Sequence, residues 1–295
     1  MSPSEFNYID PKSYAGKPWT KVDGGGQSFG TVTNTKVVHN VRGQEANFSV
    51  DKTGFQYFNS PAKEKLFTDD NAVRNGYYHE VEELVKSKLP GVKKVVIFDH
   101  TIRRRTKDSP RQPVQRVHVD QTPAAAEKRV FRHLPKEEAG ELAKGRFQII
   151  NVWRPIENPA SDFPLALVDY RSTKPADLIP VDLMYPDRAD GDDGDDRGKE
   201  TLPPVVSNES TEGYAAKGET FSVAPSDDHE FYYLKDMKPE EAVFIKCFDS
   251  RGEAVPAGKK GIASYTPHTA FVDPETPSNA PGRQSIEVRC LVFYE

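Results

Sequence analysis

Cysteine is scarce in this chain of 295 residues: Cys247 and Cys290 are the only two, far apart and in no CxxC pair. That leaves no disulfide framework to stabilise a secreted scaffold and fits a reduced compartment. Long apolar runs are missing as well. Val95–Phe98 and Pro164–Val168 are among the longest, far short of a bilayer span. The first twenty residues carry Asp10, Pro11 and Pro18 and no apolar stretch, so no secretory signal is visible. There is no excess of positive charge, with 40 Lys plus Arg against 45 Asp plus Glu and a net charge of -5. A chain built to hold a polyanion needs a basic face. No GxGxxG or Walker loop occurs, and no Ser or Cys sits in a nucleophile elbow, which disfavours nucleotide-dependent and hydrolase chemistry. The expectation is a cytoplasmic protein with neither membrane nor nucleic acid as partner.

What the chain does contain is aromatic and turn-forming residues: 16 Phe, 12 Tyr, 24 Pro and 20 Gly. Aromatics favour strands, and Pro and Gly punctuate them. Residues 1–30, polar and holding Gly24-Gly25-Gly26, read as an arm or extended wrap that suits packing against another subunit, so a homo-oligomer is a candidate state. Thr35–Val41 and Phe55–Phe58 read as short strands. A helix is expected from about Asp70 to Leu89, because Val73, Tyr77, Val81 and Val85 recur every four residues before Pro90-Gly91 stops it. Lys94–Phe98 reads as a covered strand and Pro113–Asp120 as an alternating one. A second helix, Lys136–Lys144, opens after Pro135. Further strands are expected at 147–153, 164–170, 231–234, 242–248, 266–272 and 285–294. Residues 187–200 are almost purely polar and read as an acidic surface insert without the ligand pattern of a calcium loop. Ten strands, two helices and many turns describe an antiparallel sandwich or barrel, residues 31–295 forming one domain.

The sharpest chemical signal lies at Arg116-Val-His118-Val-Asp120-Gln-Thr122. Side chains two apart on a strand share a face, so His118 and Asp120 can converge on one metal ion. With 7 His and 45 acidic residues a single such pair is what chance supplies, so a third ligand and an anion-binding group are needed. His268 supplies the first, within Tyr265-Thr-Pro-His268-Thr-Ala-Phe. Arg283 and Arg289, six apart and therefore on one face of the last strand, supply the second, since a guanidinium holds a carboxylate bidentately. A surface pairing of these arginines with Glu287 or Glu295 is the plainer alternative. Asn151 or Arg154, which fall on opposite faces within Ile149–Arg154, are candidates to line a cosubstrate pocket. Asp169 could orient a neighbouring arginine, and Gln121 and Thr122 could support the ligand pair. Arg103-Arg104-Arg105, without aromatic stacking partners beside it, reads as a solvated turn.

Six ordered blocks carry a wider likeness: Val96-Ile-Phe-Asp-His-Thr-Ile-Arg-Arg104, Arg111–Thr122, Ile150-Asn-Val-Trp-Arg-Pro155, Pro164–Asp169, Pro267–Phe271 and Ser285–Arg289. From about residue 55 to 294 the chain resembles the CmcJ/AsaB-type hydroxylase/desaturase family of Fe(II)/2-oxoglutarate-dependent oxygenases, found largely in fungal secondary metabolism. The resemblance implies a mainly β double-stranded β-helix, a jelly-roll or cupin-like barrel with flanking α-helices. It implies His118, Asp120 and His268 as iron ligands and Arg283 or Arg289 as the partner of 2-oxoglutarate. It also implies O2 as oxidant and a small-molecule substrate that is hydroxylated, desaturated or cyclised, as in aziridine formation from an amino acid. Two alternatives stay open on the residues alone: a cupin-like metal-dependent isomerase or dioxygenase that does not use 2-oxoglutarate, and a non-catalytic barrel that binds a small molecule.

Overall fold

The computed structural model describes residues 2–22, 25–106, 112–187, 207–256 and 258–295. Apart from Asp187, the expected acidic insert at 187–200 lies outside the described residues. The chain begins with β1 (Ser2–Ile9), β2 (Trp19–Lys21), β3 (Thr31–Asn40) and β4 (Phe55–Asn59). A continuous helical stretch follows, made of α1 (Asp70–Ala72), a π-helical turn and α2 (Tyr78–Lys88), as the four-residue periodicity predicts. Then come β5 (Val92–Arg104), β6 (His118–Val119), α3 (Pro123–His133), α4 (Lys136–Leu142), β7 (Phe147–Pro155) and β8 (Leu165–Val168). The remainder is β9 (Leu178–Pro186), β10 (Tyr214–Val223), β11 (Phe231–Tyr233), β12 (Glu241–Asp249), β13 (His268–Ala270) and β14 (Gln284–Tyr294).

The strands form two sheets, ordered β1-β3-β11-β8-β13-β6-β10-β9-β2 and β4-β12-β7-β14-β5. Eight of them define the winding. Counted in chain order from β5, with β9 and β10 set aside, they interleave as first-eighth-third-sixth in the small sheet and second-seventh-fourth-fifth in the large one. The chain thus passes back and forth between facing sheets, which is a double-stranded β-helix. β7 lies mid-sheet between β12 and β14, and all nine of its residues are buried. Its inner side chains Ile149 and Trp153 join the core between the sheets, while Ile150 and Val152 pack with Val81 and Val85 of α2 behind. Burial on both faces accounts for the near-continuous apolar run in this strand.

Several elements differ from the sequence reading, among them β9 and β10, which it does not anticipate. The first thirty residues are extended, but they are built into the large sheet rather than forming a free arm. β1 pairs with β3 along its whole length, and β2 pairs with β9. Ser4, Phe6 and Tyr8 are buried at alternate positions; this period of two is obscured by the polar and glycine-rich residues around it. α3 was not expected, although Thr122 caps it by accepting from the Ala125 N–H and Pro123 opens its first turn. Of the expected strand Pro113–Asp120, only His118–Val119 is paired as β6, preceded by a single bridge from Arg116 to Asn7 of β1.

Candidate active site

The two histidines meet through strand pairing. His268 of β13 lies directly opposite His118 of β6, and a directly opposed pair brings side chains close together on one face. Their ring centroids are 4.4 Å apart. Asp120, just past the end of β6, returns to the same point: its Oδ1 is 3.4 Å from His118 Nε2 and 3.8 Å from His268 Nε2. Among the described residues this is the one group whose ligand atoms, all within 4.8 Å of each other, could hold a metal. Cis ligands about 2.1 Å from an ion stand roughly 3 Å apart, so little movement is required.

The protonation pattern fits the same use. His118 Nδ1 donates to the Arg116 carbonyl at 2.7 Å, and His268 Nδ1 donates to the Thr266 carbonyl at 3.0 Å. A carbonyl only accepts, so each Nδ1 carries the hydrogen and each neutral ring presents a lone pair at Nε2. Burial pushes His268 below its ordinary value and favours that neutral form. For Asp120 burial alone would raise the pKa. The close approach of His118 and the charge of Arg289 outweigh it, and the carboxyl is held well below the usual range. Two neutral imidazoles and one carboxylate are the donor set of non-haem iron oxygenases, with three adjacent positions left open.

The small sheet furnishes the facing wall. A register shift between β5 and β14 at Arg289/Cys290 skips Phe98, so Asp99 stands opposite Arg289 and Thr101 opposite Glu287. Bulges re-aim side chains in this way beside many active sites. Every nitrogen of Arg289 has an acceptor: Nη1 donates to Asp99 at 3.0 Å and to Thr101 at 2.9 Å, Nη2 to Glu287 at 2.6 Å, and Nε approaches Asp120 Oδ2 at 3.4 Å. Despite its burial, the surrounding carboxylates, Glu287 foremost, hold its pKa above the ordinary value. The pairing with Glu287 weighed from sequence does form, but buried rather than at the surface.

Arg283 is placed differently. Its Nη1 donates to the Phe163 carbonyl at 2.6 Å, its guanidinium lies 5.6 Å from the Trp153 ring, and its buried Nε has no partner. Burial, with repulsion from Arg103, pushes its pKa below the ordinary value. Arg283 and Arg289 line one pocket with Trp153, Ser285, Thr269 and all three metal-type ligands. A buried donor left open beside a ready-made metal triad is the mark of a site shaped for an anionic guest.

The other sequence candidates separate. Asn151 enters the site, its Nδ2 donating to Asp120 Oδ2 at 2.7 Å. Arg154 does not, because strand alternation turns it to the opposite face. There it donates to the Tyr77 hydroxyl at 2.7 Å and the Ser60 carbonyl at 2.7 Å. Thr122 caps α3 and donates to Glu219. Asp169 pairs with Arg171 in its own turn and not with a neighbouring strand. Arg103 and Arg104 belong to β5 and bond the Gln112 and Leu66 carbonyls, while Arg105 bonds Asp162, so the triplet is tied down rather than a solvated turn, and of the three Arg103 lines the pocket. Asp99 and Thr101, which fix Arg289, were not marked beforehand; the bulge that aims Asp99 inward has no sequence signature.

Comparison with known proteins agrees with this geometry. Residues 6–293 match the family model described as an Oxidoreductase/YMDC permease-like domain. The hydroxylase/desaturase efuI of Hormonema carpetanum is 33% identical over 280 residues, covering 89% of this chain and 84% of that protein. The Fe(II)/2-oxoglutarate-dependent dioxygenase nvfI of Aspergillus novofumigatus is 33% identical over 262 residues, covering 86% and 81%. A solved structure of the iron and alpha-ketoglutarate-dependent endoperoxidase NvfI superposes with a TM-score of 0.79 at 28% identity, over 99% of this chain and 98% of that one. The chain belongs to this hydroxylase/desaturase family of Fe(II)/2-oxoglutarate-dependent oxygenases. Members of the family act on small molecules, and the fold they share is the jelly roll seen here. No helix among the described residues is long and apolar enough to cross a membrane.

Proposed function

We propose that His118, Asp120 and His268 hold one ferrous ion, that Arg283 receives the distal carboxylate of 2-oxoglutarate, and that the enzyme oxidises a small metabolite by hydroxylation, desaturation or oxidative cyclisation in the cytoplasm. The carrying observation is the single pocket shared by the triad and Arg283. When bound, iron and 2-oxoglutarate supply the oxidising chemistry, O2 being consumed as 2-oxoglutarate becomes succinate and CO2.

The protein's own part is electrostatic and geometric. Arg283 offers a buried nitrogen without a partner to an anion, whereas each Arg289 nitrogen already has an acceptor among Asp99, Thr101, Glu287 and Asp120. This supports Arg283 over Arg289 for the cosubstrate. Trp153 and Leu165 restrict water around the pocket, and the two Nδ1 hydrogen bonds hold the imidazoles in the ligand orientation.

The test is anaerobic. Adding Fe(II) and 2-oxoglutarate to the wild type should produce the visible charge-transfer band of the chelate, and O2 should release succinate. A wild type without the band, or a His118→Ala variant that keeps it, refutes the assignment. A band without succinate on turnover with candidate substrates would favour the metal-dependent enzyme that does not use 2-oxoglutarate.

A further inference from the structure

Asp120 has two oxygens, and the structure treats them differently. Oδ1 faces both imidazole Nε2 atoms, at 3.4 and 3.8 Å. Oδ2 is turned to the small sheet, where it accepts from Asn151 Nδ2 at 2.7 Å and lies 3.4 Å from Arg289 Nε. Asn151 and Arg289 are register partners on β7 and β14, so two adjacent strands of one sheet grip a carboxylate carried by a loop of the other. The Asn151 orientation is not ambiguous, since an ionised carboxylate only accepts and the amide must present its NH2 group. Asn151 is fully buried, and on its other side stands Ile245 of β12. An amide there, with its Oδ1 left unpartnered, is costly as mere packing.

We propose that Asn151 is a positioning residue: by occupying Asp120 Oδ2 it confines the carboxylate to one-oxygen coordination and keeps three positions of the metal open. This rests on the reading of His118, Asp120 and His268 as the ligands. A carboxylate with both oxygens free binds a metal through one or both. Two-oxygen coordination would close a position that the cosubstrate and O2 require. Arg289 cannot enforce the restriction alone, because its approach to Oδ2 is long and its stronger hydrogen bonds lead elsewhere.

Mn(II), added to the metal-free protein without cosubstrate, is the probe. Free Mn(II) measured by electron paramagnetic resonance gives its affinity, and water-proton relaxation per bound ion counts exchangeable waters. The wild type should relax water as a centre with three exchangeable waters. Asn151→Leu, similar in size and lacking the donor, should bind Mn(II) about 10–100-fold more weakly. Its relaxation per bound ion should fall by about one-third as Asp120 takes a second position. Asn151→Ser, smaller and too short to reach Oδ2, should behave alike and serves if the leucine variant does not melt cooperatively. A cooperatively folded variant with wild-type affinity and relaxation overturns the proposal. So does a wild type that shows only two exchangeable waters, a result that needs no variant. Failure of the ligand assignment itself looks different: His118→Ala would then bind Mn(II) as well as the wild type.

Discussion

Two clusters of buried charge lie in this barrel, and they are finished to different degrees. Around Lys246 every donor is used. Its ammonium, 0% exposed, donates to Asp249 at 2.7 Å, to the Ala263 carbonyl at 2.8 Å and to Asp51 at 3.1 Å. Asp249 in turn accepts from Arg146 at 2.7 Å and Gln148 at 2.8 Å. Around His118 the accounting stays open: Arg283 Nε and Asn151 Oδ1 are buried without partners, and two Nε2 lone pairs face one carboxylate oxygen. A closed network serves the fold, and an open one implies a guest. The contrast separates structural from functional charge without reference to motifs.

That contrast can be broken in four ways. The largest effect is expected from His118→Ala, which should lower succinate formation by at least about 100-fold while the metal-free protein melts where the wild type does. A large drop in melting temperature would place His118 in the structural class. Asp249→Ala should do the reverse. It leaves the Lys246 charge buried beside a weakened partner set and should cost about 3–5 kcal/mol in urea unfolding; a loss under 1 kcal/mol would show that the closed cluster is incidental.

Arg283→Met should weaken 2-oxoglutarate binding by about 1.5–3 kcal/mol, read from a titration of the charge-transfer band, without destabilising the metal-free protein, since a buried and poorly paired cation is removed. If the variant unfolds instead, Arg283 belongs with Lys246. The smallest effect concerns pH. Burial opposes ionisation of Asp249, but Lys246 and Arg146 prevail and depress its pKa. Its stabilisation is therefore complete above the unfolded carboxyl value of about 3.9 and is lost as pH falls through the lower folded value. Wild-type urea midpoints should fall steeply as pH drops below about 4, and Asp249→Asn should show a shallower fall there.

Local patterns made much of the site legible. The spacing of His118 and Asp120 follows from strand alternation, and so does the division of Asn151 and Arg154 between faces. What alternation cannot supply is the neighbour across the strand. A one-residue slip of β5 against β14 would turn Asp99 and Thr101 away from Arg289. Nothing local to either segment reveals the skip at Phe98. The choice between Arg283 and Arg289 was open for that reason: both share a face, and only the partners brought by β5 spend one of them. The first strand was hidden differently, since the burial of Phe6 and Tyr8 depends on a sheet assembled from distant residues.

Residue order alone determined the period-two faces, the long helix before β5, and the chemical kinds of group available: two imidazoles, a carboxylate and two guanidiniums. Their meeting at one point, and the pairing that leaves Arg283 as the poorly satisfied cation, were decided by the tertiary fold. Side-chain direction is a local property of the backbone, whereas hydrogen-bond satisfaction belongs to strands that become neighbours only when the two sheets close.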